Sequence, residues 1–261
     1  MLTNGFLIVL FCITAVLPAR ADDSVNPLSE SRKDPASEKT KDNHSFAGDL
    51  ERNFVSLFSS QNITPLVAGS CATGVSLTLD SSINDHFKTK DETGTGNDVG
   101  DFLGNEIFLA TGTTALFVVS RISNDPVFRN MGYSMTQGMI LNAVITLGIK
   151  EAVHRSRPNH GDDLSFPSGH TSSMFTIATV LNRYYGAKIG IPAYFIATFV
   201  GYTRVATRAH YLSDVVAGAT LGYIVGRTVS REKNHSERHL TWTPAFSSQG
   251  DGFGLMLTIQ F

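Results

Sequence analysis

Between residues 64 and 231 the chain is a succession of long apolar stretches with short polar breaks, and this arrangement limits its folds more than any other feature. The stretches are too long for strands and carry the spacing of helices, over 64–87, 101–122, 125–151, 170–185, 188–207 and 213–231. Gly186 and the Gly190-Ile191-Pro192 run punctuate two of them. Helices that are apolar over most of their circumference must be buried in a bundle or inserted in a bilayer. The expectation is therefore an all-α chain, a helical bundle of about six helices.

Polarity argues for water over lipid at this level. Mean hydropathy of the whole chain is 0.00. Ser134, Thr136, Gln137, Asn142 and Thr146 interrupt one candidate helix, and Glu106 and Arg121 bracket a run short of the roughly 20 residues that a span requires. Only 188–207 is long and nearly free of charge until Arg204. The reading is a soluble bundle, with a membrane-embedded bundle as the alternative.

The flanks divide the chain further. Residues 6–17 form a short apolar run before Pro18-Ala19-Arg20-Ala21, so 1–21 reads as a signal peptide cleaved after Ala21. Of the two cysteines, Cys12 would leave with it, and Cys71 alone permits no intrachain disulfide. Export without disulfides suits a bacterial periplasm. Residues 22–52 are polar and read as a disordered leader, and 88–100 as a loop. The bundle would occupy 53–235, and 236–261 would be a C-terminal hairpin extension. There Phe253, Leu255, Leu257, Ile259 and Phe261 alternate with the period of a β-strand. A net charge of −2 argues against a nucleic-acid partner.

Three clusters carry chemistry. Met139, Ala143 and Leu147 make an apolar stripe that Lys150 continues, which turns an ammonium toward the interior, where it needs an anion. A lysine snorkelling at a helix C-terminus would look the same, but Arg157-Pro158 adds a forked donor on a stiffened loop. Arg155 and His154, between them, read as surface residues. Pro167-Ser168-Gly169-His170 opens a helix, where free amides and the dipole attract anions. Gly169 lets an oxygen approach the backbone, Ser168 can donate its hydroxyl, and His170 at the rim can pass a proton to a leaving alcohol. An ordinary N-cap followed by a core histidine fits the same tetrapeptide. Arg204 is a third cation, with His210 six residues on and Asp214 four beyond that. A carboxylate on one imidazole nitrogen fixes the tautomer and leaves the other as a nucleophile. A histidine that merely caps the next helix is the plainer alternative. His154, His160, Asp162, Asp163 and His170 could be grouped as metal ligands, yet their spacing matches no zinc pattern.

The order Lys-x6-Arg-Pro, Pro-Ser-Gly-His and Thr-Arg-x5-His-x3-Asp resembles the type 2 phosphatidic acid phosphatase superfamily, which also contains bacterial acid phosphatases and vanadium haloperoxidases. Thr203 stands where serine is usual, and the hydroxyl is kept. The resemblance implies a helical bundle with its site at the helix ends and catalysis without a metal or other cofactor. His210 would attack phosphorus to give a phosphohistidine, Asp214 would orient it, and His170 would act as acid and then base. Lys150, Arg157, Ser168, Gly169 and Arg204 would hold the phosphate oxygens. The function implied is a phosphatase for phosphate monoesters, placed in the periplasm by its export signal. The alternatives are a membrane-associated phosphatase for phosphatidate, phosphatidylglycerophosphate or polyprenyl diphosphate, and a vanadate-dependent haloperoxidase. Its partner would be a phosphorylated small molecule or lipid, with contact to a membrane surface open.

Overall fold

The computed structural model describes residues 45–88, 95–231, 239–246 and 253–260. The expected signal peptide, most of the expected leader and residues 89–94 lie outside them. Eight α-helices are present among the described residues: α1 (Phe46–Ser56), α2 (Ile63–Lys88), α3 (Thr95–Gly104), α4 (Glu106–Ile122), α5 (Pro126–Val153), α6 (Gly169–Tyr185), α7 (Ala187–Ala206) and α8 (Leu212–Val229).

Two helices exceed the expected six, and each has a local cause. The candidate over 101–122 is divided at Asn105, whose Oδ1 accepts the amides of Ile107 and Phe108 at 3.0 Å each. That side chain begins a new helix where continuous periodicity suggested one. The second addition, α1, starts inside the stretch read as a disordered leader. Its polar residues find partners that composition does not reveal. Asn53 donates to Gln137 Oε1 of α5 at 2.6 Å, and Asp49 accepts from Tyr133 Oη at 2.5 Å. The expected loop over 88–100 likewise gives way to α3 from Thr95. The break between α6 and α7 falls at Gly186, at φ 70°, while Pro192 is accommodated inside α7.

Helices α6 and α8 form the centre. Phe175, Leu212, Val215, Val216 and Ala219 are buried against Ala197 and Val200 of α7 in one cluster. A second cluster joins Met131, Met135 and Leu141 of α5 to Val180, Val225 and Val229. The central pair lies very close. A Cβ on Gly222 would stand 2.2 Å from the Ser172 carbonyl oxygen, and one on Gly218 would stand 2.5 Å from that of Ser168. Only a residue without a side chain permits that separation.

The faces turned away from this centre carry many large apolar residues. Ile107, Val118, Val119 and Ile122 of α4, Val144 and Leu147 of α5, and Ile189, Ile191, Phe195 and Ile196 of α7 are all exposed. Ile122 is 79% exposed and Phe195 63%. By length and composition, one described helix, Ala187–Ala206, is suited to cross a membrane, and the bent pair Asp98–Gly104 and Ile107–Ile122 would qualify as one span.

Residues 231–261 form a separate unit. Within it β1 (His239–Phe246) pairs antiparallel with β2 (Phe253–Gln260), with Trp242 opposite Leu257.

Candidate active site

Lys150 lies near the end of α5, Gly169 opens α6, Arg204 is near the end of α7, and Asp214 is in the first turn of α8. Successive helices that pack side by side with short connections alternate in direction. All four residues therefore collect at one end of the bundle. The loops 154–168 and 207–211 close over that end, and Asn159 N–H donates to the Arg208 carbonyl at 3.1 Å to join them.

Helix α5 terminates at His154, which adopts a left-handed conformation (φ 47°) and is exposed. The chain then turns back so that Arg157 meets the second loop. Its Nη1 donates to the Ala209 carbonyl at 3.1 Å and stands 3.2 Å from His210 Nε2. Asp162 accepts from Arg157 Nε at 2.6 Å, a contact that also holds the Asp162 carboxyl below its usual range. Asp163 accepts from Ser156 Oγ at 2.5 Å. The acidic pair Asp162-Asp163 thus anchors the loop that carries Arg157. Lys150 is 7% exposed, and its ammonium donates to the Leu164 carbonyl, so the interior lysine of the apolar stripe reaches the same loop.

Ser168 occupies the N-cap position of α6 and is fully buried. Its hydroxyl lies 2.9 Å from Thr171 Oγ1, and its amide donates to the Asp214 carbonyl at 3.0 Å. The first amides of α6, beginning with Gly169, have no acceptor within the helix. His170 follows, partly exposed; its ring side faces α3, where a Cβ on Gly104 would come within 2.6 Å of it. Arg204 is buried, and its carbonyl accepts the His210 amide at 3.1 Å. Thr203, beside it, turns its hydroxyl back to the Val200 carbonyl at 2.8 Å.

His210 is 3% exposed. Its Nδ1 lies 2.7 Å from the Ser165 carbonyl, which can only accept, so Nδ1 carries the proton. Nε2 is left with its lone pair, facing the Arg157 guanidinium. Burial, reinforced by Arg157 and Lys150 and only partly opposed by Asp214, pushes the imidazole pKa down to about 4. The ring is therefore neutral at physiological pH.

Asp214 approaches the ring without bonding it directly. Its Oδ2 is 3.7 Å from His210 Nδ1, while it accepts from Ser165 Oγ at 2.5 Å and from the Tyr211 amide at 2.9 Å. The carboxylate attracts the ring at a distance, and the bonded acceptor is the Ser165 carbonyl. Arg155, read as a surface residue, is in fact drawn inward. It pairs with Asp214 at 2.6 Å and with Asp80 of α2 at 2.8 Å, and its guanidinium lies 4.1 Å above the Tyr211 ring. Burial opposes its charge, but Asp80 and Asp214 outweigh that and raise its pKa above the ordinary arginine value. Neither Ser165 nor Asp80 was anticipated. No local signal could mark them, because one acts through its backbone and the other lies far away in the chain.

A groove of about 360 Å³ runs between α4, α5 and α6 and reaches this end of the bundle. Leu109, Ile140, Ala143 and Leu147 line its outer part, and Lys150 and Gly169 also line it.

Residues 131–236 match the model of the PAP2 superfamily. The chain is 35% identical over 92 residues to a lipid A 1-phosphatase of Porphyromonas gingivalis, covering 34% of this chain and 21% of that protein. It is 29% identical over 102 residues to an undecaprenyl-diphosphatase of Bacillus subtilis, covering 36% and 52%. A decaprenylphosphoryl-5-phosphoribose phosphatase of Mycobacterium tuberculosis is 32% identical over 101 residues, covering 35% and 55%. The chain thus spans about half, or less, of the length of these relatives. The fold is similar to that of a transmembrane PAP2 type phosphatidylglycerolphosphate phosphatase from Bacillus subtilis, with a TM-score of 0.53 and 22% identity over 68% of this chain and 94% of that one. The motif residues gathered at one end of the bundle all lie within residues 131–236, which carry a PAP2 superfamily domain.

Proposed function

We propose that this chain is a membrane-embedded phosphatase that removes a phosphate group from a lipid through a phosphohistidine. The observation that carries the lipid reading is the groove, which joins exposed apolar helix faces to Lys150 and Gly169. A soluble monoester would need no such approach. The relatives whose names specify lipid A, undecaprenyl and decaprenylphosphoryl substrates support the same reading. The periplasmic small-molecule phosphatase expected from the sequence is the less favoured version, since the exposed faces of α4 and α7 are the wrong surface for water.

The chemistry follows from the tautomer. The Nε2 lone pair of His210 attacks phosphorus as the bond to the leaving oxygen breaks, and protonated His170 supplies the proton to that oxygen. A P–N bond now holds the phosphoryl group. His170, now neutral, takes a proton from water, and the hydroxide attacks phosphorus. The P–N bond breaks with its electron pair returning to Nε2, and inorganic phosphate leaves. Lys150, Arg157, Arg204 and the first amides of α6 stabilise the equatorial oxygens as charge spreads over them. These cations and the helix dipole fill the role that a metal would take elsewhere.

The test uses the full chain in detergent, comparing phosphate release from phosphatidic acid, phosphatidylglycerophosphate and undecaprenyl diphosphate with release from para-nitrophenyl phosphate. Lipid phosphates should be preferred, with no loss on adding EDTA. His210→Ala should lower turnover by about 10⁴-fold or more. Full activity in that variant would remove the phosphohistidine, and a preference for the soluble ester would remove the lipid.

A further inference from the structure

Asp80 stands outside residues 131–236 and Arg155 between two motif positions, yet together they brace everything that touches His210 Nδ1. The backbone carbonyl of Arg155 accepts the Ser165 amide at 2.8 Å, and the Ser165 carbonyl in turn accepts from Nδ1. The side chain of Arg155 donates from Nη1 to Asp214 Oδ1 and, at 2.7 Å, to Ser213 Oγ. Its Nη2 donates to Asp80 Oδ2. Asp80 accepts the Ser213 amide at 3.0 Å and the Ser213 hydroxyl at 2.5 Å. A carboxylate from α2 thereby caps the first turn of α8, the turn that holds Asp214. Ser165 closes the ring, because its hydroxyl donates to Asp214 while its carbonyl serves the imidazole.

We propose that Arg155 and Asp80 are positioning residues for His210, a clamp that fixes its Nδ1–H tautomer through Ser165 and Asp214. This rests on the nucleophilic role given to His210 above. One guanidinium is shared by two buried carboxylates, so the charge count of the cluster depends on it. Without Arg155, Asp80 and Asp214 would repel, which favours a proton settling on one of them. A protonated carboxyl becomes a donor, which disrupts its acceptance from Ser165 and from Tyr211 N–H. Arg157 on the Nε2 side and Lys150, bonded to the loop carbonyl of Leu164, are further charged groups near the ring.

The experiment compares Arg155→Gln, Arg155→Lys, Asp80→Asn and the Arg155→Gln/Asp80→Asn double variant in the full detergent-solubilised chain, with phosphatidic acid in mixed micelles as the probe. Arg155→Gln should lower kcat by about 10–100-fold with KM changed less than about twofold, as loss of an orienting partner does. Its acid limb should move to higher pH. Arg155→Lys keeps the charge and should leave that limb in place. Adding Asp80→Asn to Arg155→Gln removes one of the two competing carboxylates and should return the limb toward the wild-type position. Nitrogen NMR of ¹⁵N-histidine-labelled protein supplies a readout independent of turnover: His210 should be Nδ1-protonated in the wild type and a tautomer mixture in Arg155→Gln. An unmoved limb together with an unchanged His210 spectrum in folded Arg155→Gln would overturn the clamp. A wild type inactive on every phosphate ester would instead overturn the proposed function, and the spectra would still decide whether the clamp exists.

Discussion

Helices α6 and α4 have the same length and are both rich in apolar residues, yet they resolve the question of solvent in opposite ways. The inner helix α6 buries Thr171, Ser172, Thr176 and Thr179, whereas the outer helix α4 exposes Ile107, Val118, Val119 and Ile122. A bundle made for water would arrange these residues in reverse. The buried hydroxyls cost little because each has a local acceptor: Thr176 donates to the Ser172 carbonyl at 2.9 Å and Thr179 to the Phe175 carbonyl at 2.7 Å. Small and hydroxyl-bearing residues let helices approach and bond to one another, while large aliphatic ones are left for the surroundings. Polar content in a helix is thus a poor guide to its solvent unless one knows which face carries it.

The sharpest way to break this comparison is to place a charge on an outer face. Phe195→Arg, midway along α7, should cost about 2.5–3.5 kcal/mol of membrane insertion, seen as loss from the alkaline-extracted membrane fraction. If α7 faced water, the same change would stay within about 0.5 kcal/mol. Next comes the inner seam. Gly222→Ala drives a methyl into the Ser172 carbonyl and should destabilise by about 3 kcal/mol, at the upper end of overpacking, read by thermal unfolding in detergent. Smaller, about 2 kcal/mol, is the effect of Gln137→Leu, which strands the buried amide of Asn53 and should loosen α1 alone in hydrogen exchange.

A final test concerns pH. The His210 pKa is about 4 when folded and about 6.5 in an unfolded chain. Between those values the unfolded chain binds a proton that the folded one does not. Stability should therefore fall as pH drops from about 6.5 to 4 and be flat above 6.5 with respect to this group. Urea unfolding across that range, with His210→Gln as the flat reference, measures the slope.

Much of this was open to reading from the chain alone. Six of the eight described helices follow from apolar periodicity, and the candidate site residues follow from three spacings that bring cations, a helix start and a histidine into order. Much of what escaped depends on a partner distant in sequence. Arg155 looks like any charged residue in a polar loop until Asp80, 75 positions earlier, and Asp214 reach it. The polar residues of α1 look disordered until Gln137 and Tyr133 meet them. The exposed apolar residues of α4 and α7 were hidden because averaging over the chain mixes loops with helices.

Gly218 links packing to chemistry in a way that bears on any attempt to make this protein sturdier. The hydrogen it carries in place of a methyl lets α8 rest against the carbonyl of Ser168, the residue from which the anion-facing turn begins. Substituting bulkier residues into a loose helix contact is an ordinary route to higher melting temperature. Along this line it would instead lift the start of α6 away from its neighbours, so thickening the contact would cost stability and disturb the turn at Ser168 together.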